Sequence, residues 1–403
     1  MPIVGVGAPP LVEELAIVVA ATALFGYFAQ RIGLVAIVGY LTAGIIIGPD
    51  ALGLIEDAEL VDQMAEIGVI FLMFFIGLEL SGEKLQQMGS LLFGGGAIQV
   101  GLTIVLVTAI GALFGVDLSS GIYTGCLVAL SSTAVVLKLL AQRKETNSPT
   151  GEIAVAFLIF QDIAVVILVL LVPMLGEDGG GLGEIVWATV RAFIVIALVI
   201  AVAKWVIPRV LDVVAEHTDR EEFLLVVLAI AGGVAYGVTL LGLTASLGAF
   251  VAGLVVSAGP HRERATRIIL PFQALFAAVF FASIGMLLDP GFVIDNIPVV
   301  VFFCVVVVAV KLVATGAAAR IFIGPVPVVA SGAFLLAQIG EFSFILEKVG
   351  RDAGLTPADR GDDGTQVFIA VAVVLIAVTP FLNNLGRSVK QRLEHAQPLD
   401  TTE

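Results

Sequence analysis

Ala156-Phe157-Leu158-Ile159-Phe160-Gln161-Asp162-Ile163-Ala164-Val165-Val166 is an apolar run with one carboxylate at its centre. The run extends over roughly 152–174, and a bilayer helix needs about 20 apolar residues. A charged Asp halfway through lipid costs about 2.5–3.5 kcal/mol. No structural need for that cost is visible in the surrounding residues, so Asp162 is read as functional. The bland alternative is an inert ion pair or a permanently protonated acid. Gln161 either offers its carbonyl oxygen to a cation or orients Asp162.

The rest of the chain has the same character. Of 403 residues, 59% are hydrophobic and only 13% charged, whereas a soluble domain is nearer half apolar and a quarter charged. The net charge of −14 argues against nucleic-acid binding, which needs basic stripes. Cys126 and Cys304 both lie in apolar runs and make no disulfide framework or CxxC metal site. The fold class expected is an all-α polytopic membrane protein. Thirteen spans are read, at roughly 11–29, 32–48, 64–80, 90–115, 119–140, 152–174, 186–207, 223–242, 244–258, 268–288, 297–323, 328–349 and 366–385. The weakest division is the gap at Gly242-Leu243. With the N-terminus outside, the inner loops and helix ends hold fifteen Lys and Arg and the outer ones four, namely Arg191, Lys348, Arg351 and Arg360. That bias sets the expected orientation, N-terminus out and C-terminus cytoplasmic.

An internal repeat runs through these spans. Gly39-Tyr40-Leu41-Thr42-Ala43-Gly44 matches Gly248-Ala249-Phe250-Val251-Ala252-Gly253, and Phe74-Phe75-Ile76-Gly77-Leu78 matches Phe280-Phe281-Ala282-Ser283-Ile284-Gly285-Met286. The offsets are 209 from Gly44 to Gly253, 208 from Gly77 to Gly285 and 207 from Pro173 to Pro380. Such an offset spans seven helices, an odd number, so matching helices cross in opposite directions. Inverted-topology repeats of this kind mark secondary transporters, whose sites lie at discontinuous helices near the midplane.

The repeat says where to look. Span five carries Ser131-Ser132-Thr133, and its partner carries Gln338-Ile339-Gly340-Glu341-Phe342-Ser343. Ser and Thr compete for local backbone bonds, and Gly lowers helix propensity. Two unwound stretches with facing half-helix dipoles are expected, against the alternative of hydroxyls bonded back to an unbroken helix. Lys311, in Val308-Ala309-Val310-Lys311-Leu312, is too deep to snorkel and is expected to partner Asp162. Asp162 would then bind a proton, a cation or the Lys311 ammonium in competition. Glu341 either balances half-helix dipoles or joins the ion path. Glu79 is read as a gating or structural group at the inner mouth.

Phe160-Gln161-Asp162-Ile163-Ala164-Val165-Val166, Ser131-Ser132-Thr133-Ala134, Phe75-Ile76-Gly77-Leu78-Glu79-Leu80 and Gln338-Ile339-Gly340-Glu341-Phe342 together resemble the Kef-type branch of the monovalent cation:proton antiporters. The resemblance covers about residues 11–388. It implies that Asp162 is the shared cation and proton site, with Lys311 as the lysine of the eleventh span. It places the crossed, unwound helices at Ser131–Thr133 and Ile339–Glu341. It also implies a homodimer with a moving core of spans four to six and eleven to thirteen. On this basis the chain divides into scaffold helices (1–88), core helices (89–175), a linker (176–218), a second scaffold set (219–290), a second core set (291–388) and a short tail (389–403). Only about 18 residues follow span thirteen, so nucleotide or glutathione gating is not carried over, nor is potassium selectivity.

The expected function is exchange of Na+ or K+ for protons by alternating access, in a plasma membrane. No cofactor is expected beyond the transported ions, and the ligands of the cation would include Asp162, Gln161, Ser131, Ser132 and Thr133. Expected partners are monovalent cations, protons, lipid and a second copy, with no nucleic acid. The alternatives at this point are a gated potassium efflux channel, or a membrane subunit that needs a separate cytoplasmic regulator. An intramembrane aspartyl protease shares a proton between two acids, and Asp162 has no second Asp in another span.

Overall fold

The computed structural model describes residues 10–55, 58–79, 91–176, 182–217, 219–241, 244–323 and 325–396. All regular structure among them is helical. The helices are α1 (Pro10–Arg31), α2 (Ala36–Ile47), α3 (Ala58–Glu79), α4 (Gly96–Leu113, opened by a π-turn at Leu91–Gly95), α5 (Leu118–Ala129), α6 (Thr133–Arg143) and α7 (Pro149–Leu171). They continue with α8 (Leu182–His217), α9 (Arg220–Thr239), α10 (Ala245–Ser257), α11 (Arg262–Met286), α12 (Pro290–Asp295), α13 (Ile297–Ile323), α14 (Val326–Leu335), α15 (Phe342–Asp352) and α16 (Gly361–Ala396).

Among the described residues, eight helical stretches are long and apolar enough to cross a bilayer. Shorter apolar helices such as α2, α10 and α14 lie among them. The division doubted at Gly242-Leu243 is present, because α9 ends at Thr239 and α10 begins at Ala245; Gly242 and Leu243 themselves fall outside the described set. Local chemistry sets the start of α7. The Ser148 hydroxyl accepts the Gly151 N–H at 3.1 Å, Pro149 takes the first helical position and Glu152 lies in the first turn. This is the cap, proline and acid order that a helix N-terminus favours.

The helices pack in two groups. One joins α1, α2, α3, α9, α10 and α11, with α3 on α10 and α2 on α11 as the main seams. The other joins α4, α5, α7, α13, α14, α15 and α16. The long helix α8 lies against α9 and α10.

Glycines set the seams of the first group. A Cβ on Gly44 of α2 would strike the Ala282 carbonyl of α11, and one on Gly253 of α10 would strike the Phe74 carbonyl of α3. A Cβ on Gly77 would strike the Phe250 carbonyl, and one on Gly285 the Leu41 carbonyl. Each contact recurs about 208 residues away with its partners exchanged. Gly44→Ala and Gly253→Ala should therefore cost similar amounts, about 1–3 kcal/mol from overpacking against backbone. Gly232, with open space at its Cβ, should tolerate Ala or gain from it. Thermal unfolding of the detergent-purified variants checks the pattern. A harmless change at Gly44 beside a costly one at Gly253 would contradict it.

Candidate functional site

The stretch read as span five is two helices. α5 ends at Ala129 and α6 begins at Thr133, with Leu130, Ser131 and Ser132 between them. The stretch read as span twelve is interrupted likewise, by 336–341 between α14 and α15. The two interruptions touch. Gly340 N–H donates to the Leu130 carbonyl at 3.0 Å. The Ser131 hydroxyl donates to the Leu336 carbonyl at 3.0 Å, and the Ser343 hydroxyl to the Leu127 carbonyl at 2.7 Å.

A helix end leaves backbone groups unpaired, and most of those bonded here find a partner from another element. On the carbonyl side, Ala129 accepts from the Lys311 ammonium at 2.9 Å and from the Gln99 amide at 3.2 Å. On the N–H side, Ser131 donates to Gln161 Oε1 at 2.6 Å and Ser132 to Gln338 Oε1 at 2.8 Å. Ala134 donates to Glu341 Oε1 at 3.3 Å and Val135 to the Ser132 hydroxyl at 3.3 Å. The Thr133 hydroxyl donates to Asp162 Oδ1 at 3.0 Å.

The electrostatics follow from these positions. Lys311 is fully buried and lies at the C-terminal end of α5, where the half-helix dipole is negative. Asp162 and Glu341 lie at the N-terminal end of α6, where it is positive. Each charge thus meets a dipole of opposite sign. A direct Lys311–Asp162 pair was expected from the sequence. In the described contacts Lys311 instead donates to Ala129 O and, at 2.8 Å, to the Ser131 hydroxyl. The Thr133 hydroxyl, two residues on from Ser131, is the donor to Asp162. Asp162 itself is half-buried.

Gln161 is fully engaged. Its oxygen accepts from Ser131, and its amide donates to Gln99 Oε1 at 2.7 Å. Replacing it with Leu orphans both groups in a buried place, at about 1–3 kcal/mol. The Gln161→Leu protein should therefore unfold at a lower temperature than wild type. Equal melting temperatures for Gln161→Leu and wild type would overturn the assignment.

Sequence reasoning missed Gln99 and undervalued Gln338, both fully buried. The available signal was an amide inside an apolar span, the same signal that drew attention to Gln161. Glu66 is exposed on α3. Glu79 closes α3, and its side chain lies outside the described residues. Ser131, Ser132, Thr133, Gln161, Asp162, Lys311, Gly340, Glu341 and Ser343 are all brought to the two interruptions.

Comparison with known proteins matches the sodium/hydrogen exchanger, transmembrane family model over residues 17–384. The chain is 33% identical over 342 residues to K(+) efflux antiporter 5 of Arabidopsis thaliana, covering 83% of this chain and 60% of that protein. It is 33% identical over 386 residues to the putative cation/proton antiporter YbaL of Escherichia coli (strain K12), covering 93% and 68%. It is 33% identical over 392 residues to the glutathione-regulated potassium-efflux system protein KefC of Klebsiella pneumoniae (strain 342), covering 97% and 62%. The chain therefore spans 60–68% of the length of these relatives. Among solved structures, the sodium proton antiporter MjNhaP1 from Methanocaldococcus jannaschii at pH 8 shares the fold, with a TM-score of 0.70 and 16% identity over 95% of this chain and 98% of that one.

Proposed function

This chain is a multi-pass membrane member of the sodium/hydrogen exchanger family, and we propose that it exchanges Na+ or K+ for protons by alternating access, the two competing for Asp162. The observation that carries this reading is the place of Asp162. It is a half-buried carboxylate in an apolar helix, bonded to Thr133 at the N-terminal end of a broken helix. A monovalent cation needs oxygen ligands, and the Asp162 carboxylate and Thr133 hydroxyl supply them. Gln161, engaged at both ends, orients the site. Ser131 and Ser132 hold the unwound backbone, and Ser131 also carries the Lys311 contact.

Burial disfavours the bare carboxylate, and the α6 dipole favours it. That opposition suits a group that gives up a proton when a cation arrives. Lys311 competes from the α5 side, where movement of its ammonium along Ser131 towards Thr133 would bring it to the carboxylate. Glu341 completes the charge balance of the second interruption.

Alternating access is supported by the exchanged glycine contacts, because a two-fold relation between halves makes residue i meet j where j meets i. The repeat is accordingly proposed to be inverted, with thirteen crossings, the N-terminus outside and the C-terminus in the cytoplasm of a plasma membrane. The first helix group is proposed as a scaffold and dimer surface, the second as the moving core. A separate cytoplasmic regulator remains part of this proposal, since one relative is named for glutathione regulation. Two of these relatives are named for potassium and the structural neighbour for sodium, so both ions are retained. The test is proton flux in proteoliposomes with Na+, K+ and Li+ supplied in turn, for wild type and Asp162→Asn.

A further inference from the structure

Nine buried side-chain N and O atoms lack a hydrogen-bond partner among the described residues, and five of them belong to Gln338, Glu341, Glu347 and Arg351. These residues lie on one segment that starts at the second interruption and runs along α15. Buried polar atoms are nearly always satisfied by protein or ordered water, so such a concentration needs an explanation. Gln338, Glu341 and Glu347 have relative exposures of 0%, 8% and 0%. The Arg351 side chain, at 32%, reaches the surface at the far end.

Glu347 is the group the exchange site does not account for. One carboxylate oxygen takes the Thr365 hydroxyl at 3.4 Å and lies 3.5 Å from Arg351 Nε. Its second oxygen has no hydrogen-bond partner. The Tyr123 hydroxyl of α5 donates to the Glu347 backbone carbonyl at 3.1 Å. The ionisable groups around Glu347 are Tyr123 from α5 and Lys348, Arg351 and Asp352 from α15, and α16, which brings Thr365, carries Asp362 and Asp363 exposed in the same first turn. The 3-10 turn Val172–Leu175 packed on α15 brings none. α7 brings only Asp162 at the exchange site and Glu152 at its exposed first turn. Along the helix axis Glu347 is about 9 Å from Glu341, six residues at about 1.5 Å each.

We propose that Gln338, Glu341, Glu347 and Arg351 line a hydrated path along α15, and that Glu347 is its proton-carrying group between the surface at Arg351 and the exchange site. The loading step moves a proton from hydronium to the Glu347 carboxylate and leaves water. The return step gives the proton to a water on the Glu341 side and restores the carboxylate. Only O–H bonds form and break, and no co-reactant is consumed. Arg351, half in solvent, stabilises the charged form and swings outward when Glu347 is neutral. This deepens the proposed antiport and rests on it for the transport readout.

Two measurements test it. Infrared difference spectra of the purified protein between acid and alkaline buffer, with no transported cation, should show a carboxylic-acid C=O band that Glu347→Gln removes and Asp162→Asn leaves in place. In proteoliposomes, Glu347→Gln should slow exchange about tenfold or more while leaving the half-saturating cation concentration unchanged, with Glu347→Asp recovering part of the rate. The double variant Glu347→Gln/Arg351→Gln keeps the local charge neutral and should show the same loss if the single variant folds poorly. A Glu347→Gln infrared spectrum identical to wild type overturns the proposal, as does a neutral double variant exchanging at the wild-type rate. If wild type itself exchanges no cation, the antiport reading fails, and the infrared result still decides whether Glu347 takes up a proton.

Discussion

Asp162→Asn will abolish cation-driven proton flux, by at least about a hundredfold, the lower range for removal of a positioned proton-transfer group. Asn keeps the volume of the side chain and an oxygen to accept the Thr133 hydroxyl, so the 3.0 Å contact and the broken helix persist. What is lost is the ability to be charged in one half of the cycle and neutral in the other. Stability should move in the opposite direction to activity. A mid-membrane carboxylate costs about 2.5–3.5 kcal/mol, so the Asn protein should melt no lower than wild type in cation-free buffer. Ligand stabilisation should vanish. Wild type gains RT ln(1 + [L]/Kd) from a bound cation, and raising Na+ or K+ should lift its melting temperature while leaving that of Asp162→Asn unchanged. Persistent pH-driven exchange by the Asn variant would sink the competition mechanism, and a cation-dependent melting shift in that variant would move the binding site elsewhere.

Gly340→Ala is the second large effect. A methyl group at this position would lie 2.5 Å from the Ser131 carbonyl carbon, 2.6 Å from its oxygen and 2.9 Å from Ser132 N. All three are backbone atoms of the other interruption and cannot rotate away. The two broken stretches would have to separate, which strains the Gly340-to-Leu130 bond and shifts the acceptors that Gln338 and Glu341 offer to Ser132 and Ala134. Overpacking alone costs about 1–3 kcal/mol, and each buried group left unpaired adds about 1–3 more. The expected result is a lower melting temperature together with near-complete loss of exchange, because the geometry around Thr133 and Asp162 depends on the same bonds. Wild-type flux from Gly340→Ala would show that the contact between interruptions does not hold the site.

Much of the fold was legible because lipid imposes a simple rule. Backbone groups in a bilayer must be satisfied within a helix, so apolar runs separated by turn residues give the helices directly. The span read at 152–174 corresponds to α7 with its 3-10 end, and the polar clusters at Ser131 and Gly340 mark both interruptions. Asp162 was legible for the same reason, since a carboxylate in hydrocarbon stands out in any reading. Gln99 was not, because an amide in an apolar helix is ambiguous until its neighbours are known. The partners of Lys311 were equally hidden. Sequence offers an ammonium and a carboxylate as the obvious pair, but the open carbonyls at the end of α5 are competing acceptors that exist only once α5 has stopped.

The sequence by itself determined that this is a helical membrane protein with an acid, Asp162, in the middle of an apolar span, because hydrophobicity and its period act locally along the chain. Only the tertiary structure decided that α5 and α14 stop where they do. Nothing within Leu127–Thr133 forbids an unbroken helix, and the break persists because Gln99, Gln161, Lys311, Gln338, Gly340, Glu341 and Ser343, drawn from four other parts of the chain, supply the hydrogen bonds that the helix itself would otherwise have made.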